Sequence, residues 1–167
     1  QADRPPAART APTRTFIVVD RRLLVDQAFE RARRIAAALE MPEDEAVRRV
    51  AEGLLRIGGG GRPLEVVRMR GGVTWSWRWL ASPCQPAVIA GTVDQFGSRL
   101  LFRGYGVGER LRPIDAALCG RDALLLLDEA HLSPALAENL DRAHQLEAAV
   151  EHSILAERTP RPVLLSA

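Results

Sequence analysis

One eleven-residue run, "LLLLDEAHLSP" from Leu124 to Pro134, constrains the fold more than any other stretch. Four leucines in a row carry no polar alternation. They predict a strand over 123–128 that is buried on both faces, as in a parallel sheet covered by helices. Ser133 and Pro134 are residue types that open a helix: a hydroxyl that can cap, then a ring that presets φ. The long helix expected next has Leu136, Leu140, Ala143 and Val150 as its buried stripe. Asp128 and Glu129 therefore emerge at the carboxyl edge of the sheet, where open α/β folds bind ligands.

The remaining chain follows the same alternation. Residues 1–15, "QADRPPAARTAPTRT", read as a surface connection, and 16–167 as the domain proper. "TFIVVD" (15–20) is a strand. A helix over 21–40 places Leu24, Ala28, Ala32, Ile35 and Leu39 at helical spacing. A second helix (43–57) opens after Pro42 and ends at "GGGG" (58–61). "LEVVRM" (64–69) and "AVIAG" (87–91) are further strands. Helices follow over 92–102 and 113–118, and "VLLSA" (163–167) is the last strand. Strands and helices in this order predict an α/β domain with a mainly parallel sheet.

Composition removes several function classes. A chain of 167 residues suits one domain, and 23 basic against 21 acidic residues leave a net charge of +2. That near-balance does not by itself indicate a nucleic-acid partner; any positive surface must be local. Cys84 and Cys119 fit a reducing, cytoplasmic setting, and the three histidines have no zinc spacing with them. No apolar run approaches the ~18 residues that span a bilayer, so no membrane partner is expected. All 23 basic residues are arginine. A phosphate loop of the form G-x-x-x-x-G-K-[ST] is thereby excluded from this chain. "GGGGRP" (58–63) leads into a strand rather than a helix and is a turn.

Asp128-Glu129-Ala130-His131 carries the chemistry. At a strand's carboxyl end, an aspartate can hold Mg²⁺, usually through water, and the next glutamate can orient and deprotonate an attacking water. The bland reading is a helix N-terminus decorated with acids for its dipole. Arg21 and Arg22 follow a strand and open a helix, which suits phosphate contacts or merely a solvated helix start. Arg68, Arg70, Gly71 and Gly72 end another strand and allow close backbone approach. In "GTVDQ" (91–95), Thr92 and Gln95 offer a hydroxyl and an amide to a nucleic-acid backbone. Trp75, Trp77 and Trp79 could stack bases, or simply pack an insertion onto the domain.

Together these residues resemble the first RecA-like domain of a superfamily 2 helicase. More narrowly, they resemble the CRISPR-associated helicase-nuclease of type I systems, particularly its type I-U variety. The likeness runs from about Thr15 to Ala167. It rests on "FIVVDRRLLVDQAFERA", "RMRGGV", "IAGTVDQFGSRLLFRGYGV", "LLLLDEAHLSP" and the terminal "LLSA". The resemblance implies an incomplete RecA-like (P-loop NTPase) three-layer fold whose phosphate-loop strand is missing. It implies an ATP hydrolase with Mg²⁺ that moves along single-stranded DNA and unwinds it at an R-loop. Its partners would be a CRISPR effector complex and the rest of its own polypeptide, a second RecA-like domain and an HD nuclease. By position, Asp128 and Glu129 would serve Mg²⁺ and water, and His131 would couple nucleotide state to neighbouring elements. Arg21, Arg22, Gly71, Gly72, Thr92 and Gln95 would line the DNA track, with Ser166 and Ala167 coupling the two sites. Because the chain opens on Gln1 and closes on "VLLSA", the same reading expects an internal piece of a longer helicase, inactive alone. The lysine-bearing loop would lie upstream of Gln1.

Two rivals remain: another DEAH-box helicase, such as a restriction-system motor, and a non-catalytic DNA-binding or scaffold module.

Overall fold

The computed structural model describes residues 9–71, 79, 82–149 and 162–165. Its strands are β1 (Arg14–Val19), β2 (Glu65–Met69), β3 (Ala87–Thr92), β4 (Ala123–Leu127) and β5 (Pro162–Leu164). They form one sheet in the order β2-β3-β1-β4-β5. Every pairing is parallel, with Val18 opposite both Gly91 and Leu127. The expected mainly parallel sheet is thus wholly parallel among the described residues. The last strand is shorter than 163–167, and Ser166 and Ala167 lie outside the described residues.

Period-two alternation splits the apolar residues of β1 between two cores. Phe16 and Val18 join Met69, Ile89, Leu125 and Leu127 in the larger core. That core is covered by α3 (Val93–Leu100), α4 (Arg112–Gly120) and α5 (Pro134–Ala148). Ile17 and Val19 face the other way, against Val25, Ala28 and Phe29 of α1 (Arg22–Glu40). Helices on both faces give the three layers that β-branched and leucine-rich strands require.

The buried residues of α1 are Val25, Ala32 and Leu39, spaced by sevens. Ile35, expected in that stripe, is exposed. At about 100° per residue it falls roughly 60° from Ala32 and 40° beyond Leu39 on the helical wheel, off the line that meets the sheet. In α5, Leu136 and Leu140 are buried as expected and Ala143 is half-buried, while Val150 lies outside the described residues. The strand at the chain's start begins at Arg14, one residue earlier than the sequence suggested, and Arg14 is buried. Its guanidinium donates to the carbonyls of Leu118, Pro83 and Arg121 at 3.0, 2.5 and 2.8 Å. Burial lowers its pKa from the ordinary value, opposed by the Asp122 carboxylate. Arg14 thereby ties the last turn of α4 and the segments at Pro83 and Arg121 to the amino end of β1.

Helix α2 (Glu45–Gly58) is bounded as its sequence dictates. The Asp44 carboxylate accepts the Val47 N–H at 2.8 Å, satisfying one of the helix's orphan donors. At the other end Gly59 takes φ 78°, a left-handed cap that a side chain would strain. "GGGG" is therefore a helix stop, as read from the sequence. Replacing Asp44 by Ala is expected to cost about 1 kcal/mol. Thermal unfolding should move down by about 2–4 °C.

Candidate functional site at the carboxyl edge of the sheet

Parallel pairing brings the ends of β1, β2, β3 and β4 to one edge. In register, Val18 lies beside Gly91 and Leu127, and Gly91 lies beside Met69. Asp20, Arg70, Thr92 and Asp128 thus leave the sheet at neighbouring points.

Asp128 is half-buried, and its backbone N–H continues the ladder by donating to the Val18 carbonyl at 2.9 Å. One carboxylate oxygen, Oδ1, accepts the Glu129 N–H at 3.0 Å. Glu129 adopts φ 50°, a left-handed conformation uncommon for a residue with a Cβ. It turns the chain sharply at the strand end. His131 Nε2 stands 3.5 Å from the Glu129 carboxylate. The Ala130 N–H donates to the Leu165 carbonyl at 3.1 Å, fastening this turn to the end of β5.

As the sequence predicts, the long helix α5 starts at Pro134; what the sequence did not signal is the 3₁₀ turn, Ala130–Leu132, between the acids and that helix. Its first turn holds no acid. The bland reading, carboxylates placed to complement a helix dipole, therefore loses its geometry for α5.

Beside this turn is a cleft of about 300 Å³ whose polar lining comprises Asp20, Thr92, Asp94 and Ser133. Thr92 precedes α3 without spending its hydroxyl on a cap. Gln95 does not line the cleft. It is 7% exposed, and its Oε1 has no hydrogen-bond partner among the described residues.

At the end of β2, Arg22 lies against Gly71, where a Cβ would stand 3.5 Å from the arginine Nη2. Arg21 is exposed. Asp26 of α1 takes Arg68 Nη1 at 3.1 Å and Arg70 Nε at 3.0 Å. Arg68 also stacks over Phe29, its guanidinium carbon 4.9 Å from the ring centroid. Asp26 escaped the sequence reading because nothing local to it signals a partner 42 residues away. Asp20, Asp94 and Ser133 come from three separate junctions of the chain, so the cleft they share was not foreseen.

Gly91 of "GTVDQ" has a packing role beside these polar groups. A Cβ there would meet the Met69 Cβ and carbonyl oxygen, both at 3.0 Å. Gly91→Ala must push β2 away from β3 and is expected to cost about 1–3 kcal/mol, read by urea unfolding. Trp79 is buried and meets Phe16 edge-on at 6.2 Å, which is the packing alternative for that indole. Gly72, Trp75 and Trp77 lie outside the described residues.

Among the described residues, no group of three or more His, Cys, Asp or Glu side chains could hold a metal ion. A resident all-protein metal cage does not fit here. One half-buried carboxylate at a strand end does fit Mg²⁺, which commonly keeps its waters and takes one or two carboxylates plus substrate phosphates. Among the described residues, no helix is long and apolar enough to cross a membrane. No family model, curated protein or solved structure matches the chain.

Proposed function

We propose that this chain forms the water-activating and strand-tracking part of an ATP-dependent DNA helicase, one acting with a nuclease in CRISPR defence as the sequence resemblance suggests. The observation that carries the reading is the turn at the end of β4. Asp128 and Glu129 follow a buried strand directly, at the carboxyl edge of a parallel sheet, and Glu129 is held in a left-handed backbone. Asp128 would hold the Mg²⁺ of a bound nucleotide, which supplies charge neutralisation on the phosphates. Glu129 would take the proton of the attacking water, with His131 beside it to sense the change.

The fold also restricts where a phosphate loop can join. β1 has neighbours on both sides, so the interior of the sheet has no vacancy among the described strands. An added strand outside β5 would lie two strand spacings from β4, about 10 Å. Outside β2 it would lie four spacings away, about 19 Å. A lysine that must share phosphates with Asp128 therefore belongs outside β5, where Val163, Leu164 and Leu165 are exposed. The RecA-like identity of the fold is part of this proposal.

Thr92 at the cleft and Arg22 against Gly71 support a DNA track along the same edge. The full-length native polypeptide should hydrolyse ATP faster with single-stranded DNA, and Glu129→Gln should remove that turnover while nucleotide binding persists. A Glu129→Gln protein that turns over ATP like wild type would refute the assignment. DNA binding without any ATP turnover by the full polypeptide would favour the scaffold module.

A further inference from the structure

The cleft beside the Asp128–Glu129 turn has a chemistry of its own. Val19 pairs with Thr92 in the sheet. Asp20 therefore leaves β1 one residue past that pair, and Asp94 stands in the first turn of α3, two residues past it. Both side chains are exposed, and among the described residues no hydrogen bond or ion pair engages either carboxylate. The 3₁₀ turn at Ala130–Leu132 delivers Ser133 to the same place, and Asp20, Thr92, Asp94 and Ser133 line one cleft of about 300 Å³.

Two carboxylates at a surface are ordinary; the hydroxyls beside them are not. Thr92 and Ser133 are each 9% exposed, yet among the described residues neither hydroxyl has a hydrogen-bond partner. Buried polar side chains are ordinarily paired, so two unpaired hydroxyls lining one cavity point to a ligand that completes them.

The lining selects that ligand. Arg21 and Arg22 follow Asp20 in the chain but are not among the residues lining the cleft. A phosphate is repelled by Asp20 and Asp94, so the cleft takes a different ligand from the DNA strand proposed along the same edge. Val93, Pro134 and Leu136 give it apolar walls. An ammonium is strongly hydrated and gains little from such walls. A guanidinium is planar and more weakly hydrated, and its fork of N–H donors matches carboxylates. The donors left over can go to hydroxyl oxygens, which accept. We infer that this cleft binds the guanidinium of an arginine side chain presented by a partner protein. The inference does not rest on the ATPase reading: it uses neither Asp128 nor Glu129, and its test needs neither ATP nor DNA.

Titration of the isotope-labelled full chain with acetyl-arginine amide, followed by NMR, tests it. Acetyl-lysine amide and acetyl-citrulline amide are the comparators, since citrulline keeps the shape of arginine and loses its charge. Shifts should centre on the Thr92, Asp94 and Ser133 amides. The arginine amide should bind about tenfold more tightly than the citrulline amide, the worth of one charge-assisted hydrogen bond, and more tightly than the lysine amide. Asp20→Asn and Asp94→Asn, both at exposed positions, should each weaken arginine binding by about tenfold while the rest of the amide spectrum stays in place. Equal binding of the citrulline or lysine amide would overturn the inference, as would shifts spread over the surface carboxylates at large. Arginine binding indifferent to both aspartate variants would overturn it independently. Mg²⁺ alone shifting the same amides, with no response to the arginine amide, would make the cleft a metal site instead. Self-association of the chain lost in both variants would replace the partner protein with a second copy.

Discussion

The 167-residue chain, supplied with Mg²⁺-ATP and single-stranded DNA, is expected to release phosphate no faster than a buffer blank. On the proposed reading its carboxylates would activate water, but the charge that develops on a transferring phosphoryl group needs cations aimed at it. All 23 basic residues here are arginine, so no lysine loop can cradle the β- and γ-phosphates. Arg68 and Arg70, two cations near the site edge, are engaged by Asp26. Loss of one transition-state cation alone costs ~10³ or more in rate. If a lysine-bearing segment is supplied and joins outside β5, turnover should appear, and Glu129→Gln should then cut it by about 10²–10⁴-fold. DNA-stimulated turnover by the 167-residue chain alone, lost in Glu129→Gln, would show that the cationic half is already present.

The second large effect is on stability. Arg99 of α3 and Asp115 of α4 form an ion pair whose side chains are 2% and 1% exposed. Asp115 is pushed above the ordinary carboxyl range by burial, with the Arg99 guanidinium pulling the other way. Desolvation commonly offsets the attraction within a buried pair, so this one is expected to hold the helices in place without a net gain over an apolar contact. Asp115→Ala takes the paired carboxylate from a buried cation and should cost about 3–5 kcal/mol. With a urea slope of about 2 kcal/mol per molar, the midpoint should fall by roughly 2 M. Replacing both partners together, Arg99→Met with Asp115→Leu, should restore most of that loss. The pH dependence has a definite sign. A folded pKa above the unfolded value, about 3.9, gives a contribution that is complete below that value and is lost as pH rises through the folded pKa. Wild type should therefore lose stability across that window relative to the double replacement. A double variant as weak as Asp115→Ala would show that the ion pair itself is stabilising.

How much of this was legible in the sequence depended on the range of the interaction. Strand β4 and the caps of α2 follow from residues within a few positions of each other, and each was readable as a pattern. The 3₁₀ turn at Ala130–Leu132 was not, since Ala, His and Leu suit either kind of helix. Lateral strand order was hidden because periodicity states which face is buried but never which strand lies alongside. Nothing local to Arg14, Arg99 or Asp115 marks them as buried; partners elsewhere in the chain make them so. The same holds for the site. Asp128 and Glu129 are marked by their own neighbourhood, whereas the cleft joining Asp20, Thr92 and Ser133 exists only once β1, β3 and β4 are aligned.

The central place of β1 has a consequence for synthesis on the ribosome. Thr13 and Asp122, 109 residues apart, are joined where β1 and β4 begin. At about 5–20 residues per second, β1 therefore waits roughly 5–20 s for that partner to be made. Meanwhile Phe16 and Val18 lack Leu125 and Leu127, which share their core in the finished sheet. The nascent chain should accordingly bind holding chaperones until β4 emerges, and release them soon after.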